Sequence, residues 1–199
     1  MKDVDIWYSK AKKRDKDKDD YENTAAANDS KDRIEVYNND IYFYSEVNRS
    51  NNLTLNKKLV EVSNKYTNIS NSLNLEEIIP INLHISSYGG SVFAGFSSVD
   101  YIIQSKVPIT TIIDGCAASA ATIMSVVGVH RKINRNAYML IHQLSSGMWG
   151  KYEELRDDMK NSDILMERIK HIYREHTKIP TKKLNEVLKH DLWWDAETC

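Results

Sequence analysis

Ile78–Val127, IIPINLHISSYGGSVFAGFSSVDYIIQSKVPITTIIDGCAASAATIMSVV, carries strand, turn and helix twice over. Ile78–Ile85 is an apolar, β-branched run of strand length, and Ser86–Gly90 stops it. Val92–Ser105 follows with Phe96, Val99 and Ile103 at helical spacing. Pro108 opens the second unit, Ile109–Asp114 reads as its strand, and Gly115 is expected to end it. Ala117–Val127 is apolar nearly all round, the pattern of a buried helix. Strands alternating with helices point to an α/β core with a parallel sheet. All seven glycines lie between Gly89 and Gly150, so the places needing close backbone approach fall in this half.

Working outward, Arg33–Val36 and Asp40–Val47 are rich in β-branched and aromatic residues around the turn signal Asn38-Asn39-Asp40. Leu53–Lys65 sets Leu55, Leu59 and Val62 on one helical face, and the Asn- and Ser-rich Tyr66–Asn74 reads as a loop. Downstream, Arg131–Ile133 and Tyr138–His142 read as a short hairpin or paired strands. A long helix is predicted over Lys151–Thr177, with Tyr152, Leu155, Met159, Ser162, Met166, Ile169, Tyr173 and His176 on a heptad-like seam that has a polar break at Ser162. A helix so long on a core this small is expected to project and pack on another subunit. Pro180 ends it, and Thr181 is predicted to cap a shorter helix, Lys182–Lys189. Residues 1–32 are charged and small polar, with signs alternating, and read as a flexible extension; residues 33–199 form the domain.

Composition narrows the function classes. Lys and Arg total 27 against 28 Asp and Glu, a formal net charge of −1, so no global field draws nucleic acid. The longest apolar stretch, Ala117–Val129, is too short and interrupted to span a bilayer, and the first residues lack the apolar run of an export signal. Cys116 and Cys199 cannot build a disulfide framework, and no His/Cys spacing matches a metal motif. A cytoplasmic protein without metal, cofactor, nucleic acid or membrane partner is the expectation.

Ser119 follows a strand and a glycine and opens an apolar helix, where the helix's positive end faces its hydroxyl. A developing oxyanion is stabilised at such a place, although a serine there is also an ordinary cap. His142 ends an apolar strand, from which an imidazole reaches a cleft as a general base. Asp191 precedes the bulky Leu192-Trp193-Trp194, which would shield a carboxylate that orients the histidine. Asp195 and Asp114 compete for that role on spacing alone. Gly89 and Gly90 offer backbone N–H groups for an oxyanion hole or an extended ligand. Neither phosphate-loop pattern is present around them.

Four pieces in order carry a family resemblance: Ile85-Ser-Ser-Tyr-Gly-Gly-Ser-Val-Phe-Ala-Gly95, Gly115-Cys-Ala-Ala-Ser-Ala-Ala121, Met139-Leu-Ile-His-Gln143 and His190-Asp-Leu-Trp-Trp-Asp-Ala-Glu197. Together they resemble the Clp protease proteolytic subunit (ClpP) family of serine peptidases. The resemblance implies the ClpP/crotonase-like fold, with stacked βαβ-type repeats, a protruding long helix and homo-oligomeric rings enclosing the sites. It implies Ser119 as nucleophile, His142 as base, Asp191 as its orienting carboxylate, and the amides of Gly90 and Ala120 as oxyanion hole. Extended peptide or unfolded protein would lie by β-addition along Gly89, Ser91 and Val92 and after His142, at Gln143. The activity implied is ATP-dependent endopeptidase, with an AAA+ unfoldase as possible partner.

Departures from the family pattern also carry expectations. Tyr88 stands where the family has proline, and Ala120-Ala121 replaces Met-Gly, a change associated with viral and bacteriophage members. The Ser119-to-His142 interval is about two residues shorter than in bacterial housekeeping enzymes. Relatives continue through a further turn and strand after the position of Cys199, so a truncated piece is expected. The polar start, unlike the short axial loops of bacterial relatives, leaves open a stand-alone peptidase, a phage-type capsid-maturation protease or a non-catalytic peptide-binding scaffold.

Overall fold

The structure is a computed structural model and describes residues 33–199. The expected polar extension, residues 1–32, lies outside the described residues.

A two-residue turn joins β1 (Arg33–Tyr37) to β2 (Asp40–Tyr44), with Asn38 in the left-handed region at φ 55°. Helix α1 (Arg49–Ser72) leads to β3 (Ile81–Ser87), α2 (Val92–Ile103) leads to β4 (Ile109–Ala118), and α3 (Ala120–Ser125) leads to β5 (His130–Ile133). Short β6 (Tyr138–Leu140), long α4 (Tyr152–His176), α5 (Thr181–Val187) and β7 (Trp193–Asp195) complete the chain. The strands form one sheet in the order β1-β2-β3-β4-β6-β7, with β5 also pairing β4. β2-α1-β3, β3-α2-β4 and β4-α3-β5 are successive parallel crossover units. That is the stacked α/β arrangement the sequence predicted.

Alternation along the strands sends Ile41 and Phe43 of β2 and Ile81, Leu83 and Ile85 of β3 into the core. Leu55, Leu59 and Val62 of α1, Val99 and Ile102 of α2, and Ile123 and Met124 of α3 join the same cluster. Asparagines also turn inward from α1. Asn52 donates to the Ala94 carbonyl at 3.1 Å and to Ser98 Oγ at 2.7 Å, and Ser98 donates to Asn56 at 2.8 Å. This buried polar seam fixes α1 on α2.

Several boundaries differ from the expectations. Tyr66–Ser72 is helix rather than loop, because Tyr66 and Ser70 are buried and Ile69 packs on the core. Tertiary burial there overrides the weak helix propensity of Asn and Ser. Gly115 does not end β4. The β3–β4 register shifts between Ile85/Ile113 and Ser87/Ala117, and the bulged β4 carries the glycine through to Ala118. The following helix is therefore shorter than predicted and begins at Ala120. β5 and β6 do not pair with each other; each pairs in parallel with a different half of β4. Thr181 lies inside α5, whose N-cap is Pro180. α4 matches its predicted span, with Ile169, Ile172 and Tyr173 buried near its end and Tyr152, Met159 and Ile164 exposed along the rest.

Candidate active site

Ser119 occupies the hinge between β4 and α3 with φ 52° and ψ −125°, a region non-glycine residues rarely enter. Such a conformation costs about 1–3 kcal/mol and persists only where neighbours over-determine it. They do so here. The Ser119 N–H donates to the Leu140 carbonyl at 2.9 Å, and the Ser119 carbonyl accepts from the Thr122 N–H at 3.0 Å and the Thr122 hydroxyl at 2.5 Å. Gly89 supports the turn from beneath: a Cβ there would stand 2.5 Å from the Ala118 carbonyl and 2.7 Å from Ser119 Cβ. At φ +93°, that position also demands glycine conformationally.

The β4–β6 pairing brings the histidine alongside. Ala118 sits opposite Leu140, so the chain leaving β6 carries His142 to the cavity next to Ser119. That cavity, of about 160 Å³, is lined by Gly90, Ser119, Ala120 and His142 on its polar side and by Val92, Ile123 and Ile169 on its apolar side. Gln143, Leu144, Ser145 and Tyr173 complete it. The His142 side chain is largely buried, and its Nδ1 lies 3.7 Å from Asp191 Oδ1, longer than a hydrogen bond. The Asp191 side chain keeps 67% of its surface exposed, so the Trp193-Trp194 pair does not shield it as expected. Those two residues instead form β7 against β6, with Trp194 opposite Met139.

The competing carboxylates are engaged elsewhere. Asp195 accepts from the Thr198 N–H and hydroxyl at 2.9 and 2.7 Å, and these bonds hold its carboxyl below the usual range. Asp114 lies on the opposite face of the sheet from the core helices' contacts, bound by Tyr44 at 2.6 Å, His84 at 2.9 Å and Asn134 at 2.9 Å. Among the described residues, Asp191 alone comes within ion-pair reach of His142.

Of the backbone positions singled out from sequence, Gly90, Ala120, Val92 and Gln143 line the cavity. Gly89 and Ser91 do not line it, and their backbones are engaged with Val47: the Gly89 carbonyl accepts from Val47 N–H at 2.8 Å, and Ser91 N–H donates to the Val47 carbonyl at 2.7 Å. Ser91 Oγ also caps α2. As the first residue of a helix, Ala120 has an N–H with no intrahelical acceptor. Burial pushes the Cys116 thiol up, and it lines a separate cavity beside Tyr88 and Trp193. No group of three His, Cys, Asp or Glu among the described residues is arranged to hold a metal ion. Sequence reading missed Thr122 and counted Tyr173 only as a seam position. A β-branched hydroxyl inside an otherwise apolar buried helix was the available signal, since it must find a partner there.

A family model described as Clp protease matches residues 35–199. The ATP-dependent Clp protease proteolytic subunit 2 of Bacillus licheniformis is 31% identical over 119 residues, covering 59% of this chain and 63% of that protein. The subunit 2 of Treponema denticola is 32% identical over 145 residues, 72% of each chain. For the Bacillus and the Deinococcus radiodurans relatives, the match spans about three fifths of their length (63% and 58%). A solved ClpP1 mutant from Listeria monocytogenes superposes with a TM-score of 0.68 at 23% identity, covering 81% of this chain and 85% of that one; it shares the fold.

Proposed function

The chain belongs to the Clp protease family, and on that premise we propose that it is a serine endopeptidase whose nucleophile is Ser119. The observation that carries this reading is the strained Ser119 turn opening onto the same small cavity as His142. A serine held at φ 52° exposes its hydroxyl at a strand-to-helix corner, the local geometry a nucleophile turn needs.

In this mechanism His142 Nε2 takes the Ser119 hydroxyl proton as Oγ attacks the peptide carbonyl carbon. The carbonyl π pair moves onto oxygen, and the N–H groups of Gly90 and Ala120 stabilise the resulting anion. Collapse breaks the C–N bond, His142 returns the proton to the leaving amine, and an acyl ester remains on Ser119. Water, deprotonated by His142, then hydrolyses the ester. Asp191 orients the Nδ1–H and stabilises the imidazolium. At 3.7 Å and two-thirds exposed, its carboxylate must close on His142 for that role, and ring assembly is the event we assign to the closure.

The exposed apolar residues of α4, Tyr152, Met159 and Ile164, are the surface proposed to join one ring of copies to a second. Peptide or unfolded protein is the substrate proposed; dependence on ATP is carried over from the relatives' names, and an AAA+ unfoldase is the partner proposed to supply it. No helix among the described residues is long and apolar enough to cross a membrane; a cytoplasmic setting is proposed on the likeness to the bacterial Clp subunits. The first test is labelling with a fluorophosphonate probe, alongside Ser119→Ala and a record of assembly state. Labelling and peptide hydrolysis that both vanish in the variant are the expected result. An assembled ring that does not label overturns the reading and leaves the peptide-binding scaffold.

A further inference from the structure

Two side chains beneath the site form a hydroxyl chain that ends on the nucleophile's own carbonyl. The Tyr173 hydroxyl, on α4, meets Thr122 Oγ1, and the Thr122 hydroxyl donates to the Ser119 carbonyl at 2.5 Å. Both side chains are buried, with Thr122 at 0% and Tyr173 at 2% exposure, so water does not substitute for either bond. The directions are forced: Thr122 donates to the carbonyl, so the Tyr173 O–H donates to Thr122. The Ser119 carbonyl and the Ala120 N–H belong to one planar peptide and point in opposite directions. Whatever pins that carbonyl therefore aims that N–H.

We propose that Thr122 and Tyr173 are positioning residues that lock the Ser119–Ala120 peptide plane and so hold the Ala120 N–H toward the cavity as an oxyanion donor. The inference deepens the peptidase reading and rests on it. It ties the oxyanion hole to α4, whose Ile169 also lines the cavity and whose Met166 sulfur accepts from the Leu144 N–H at 3.0 Å. Displacement of α4 would then loosen the donor without moving Ser119 Oγ or His142 directly. The strained Ser119 turn makes such a lock necessary, because a relaxed backbone would rotate the same peptide plane.

Tyr173→Phe keeps the ring and its packing, and Thr122→Ser keeps the hydroxyl, whereas Thr122→Val removes it at nearly constant shape. Tyr173→Phe and Thr122→Val are expected to lower kcat about 10-fold with KM within about twofold, a part of the 10²–10³ lost with a whole oxyanion donor. A peptide boronate, which forms a tetrahedral adduct, should lose affinity in parallel with kcat. Thr122→Ser should recover most of the rate, and Tyr173→Phe should cost little more on top of Thr122→Val, since both act through one chain. A rise in KM at constant kcat, or Thr122→Ser as impaired as Thr122→Val, overturns the proposal. An assembled wild type that neither labels nor hydrolyses defeats the peptidase reading instead. In that case the Ala120 amide resonance in ¹⁵N-alanine-labelled protein, assigned by its loss in Ala120→Gly, decides the lock: a shift in Tyr173→Phe upholds it, and an unmoved resonance overturns it.

Discussion

His84 and His142 each stand beside an aspartate, yet the two pairs are built for opposite ends. His84 Nδ1 lies 2.9 Å from Asp114 and its Nε2 lies 3.6 Å from Asp40, while its ring stacks on Tyr42 at 4.6 Å. Its Nδ1 edge and one face are closely engaged, and its Nε2 edge also faces a carboxylate at ion-pair distance. His142 has one loose carboxylate at 3.7 Å and a cavity shared with Ser119. The tighter pair is the structural one. A general base needs a nitrogen left over for the reaction: both of His84's face carboxylates, whereas only one of His142's does among the described residues.

The sharpest way to break this contrast is to remove each histidine in turn. His142→Ala should lower kcat for a peptide substrate by about 10⁴ or more, as loss of a triad base does elsewhere. His84→Ala should leave kcat within a few-fold and instead lower the thermal midpoint; hydrolysis rates and melting curves on both variants decide it. Equal losses of kcat would dissolve the distinction. Asp191→Asn is expected to cost about 10²-fold, less than the 10⁴ of a fully buried triad carboxylate, because this one is largely solvated. A loss matching His142→Ala would show that the pair closes fully in the working assembly, while no loss would remove Asp191 from the mechanism.

Asp114→Asn probes the other member and should act on stability alone. It weakens the acceptor for Tyr44 and His84, at about 1–3 kcal/mol, with fluorophosphonate labelling unchanged. The same network sets an alkaline limit. Burial first, then the bond and charge of Asp114, push the Tyr44 hydroxyl up to about 12. Because the folded value is raised, this contribution is complete below pH 10, the ordinary phenol value, and lost as pH climbs through 12. Ultraviolet titration should show one fewer late tyrosine in Tyr44→Phe than in the wild type and an earlier one in Asp114→Asn, with the buried Tyr173 late in all three.

The contrast between the two histidines also separates what a linear reading reaches from what it does not. Ser119, His142 and Asp191 stood out because each ends a run of one hydropathy pattern and begins another, and such corners are visible in sequence. Strands β1 to β6 fell near their expected places for the same reason, whereas β7 was not expected, because Trp193 and Trp194 read as a bulky cluster rather than a strand. Gly115 was misread as a stop because a bulge is a property of two strands, and its partner β3 gives no sign of it alone. Tyr66–Ser72 was misread because asparagine and serine speak for loops until something buries them. The Tyr44–Asp114–His84 network and the Thr122–Tyr173 bond join residues 30 to 70 positions apart. Only sheet order and helix docking create them, so no local spacing announces either.

Strand β4 serves two neighbours in succession, β5 along Thr110–Ile113 and β6 along Cys116–Ala118. Each is therefore berthed independently, and residues 134–137 form the turn between them, tied back by the Asn134 N–H to the Ile113 carbonyl at 2.9 Å and by the buried Ala137. The length of chain between Ser119 and His142 matters less to where the imidazole arrives than the pairing of β6 on β4, which is the berth itself. A one-residue slip of β6 against β4 would be another matter, because it turns His142 to the other face of the sheet. Three rungs of a ladder, Cys116–Tyr138, Ala117–Met139 and Ala118–Leu140, thus carry the burden of delivering the imidazole.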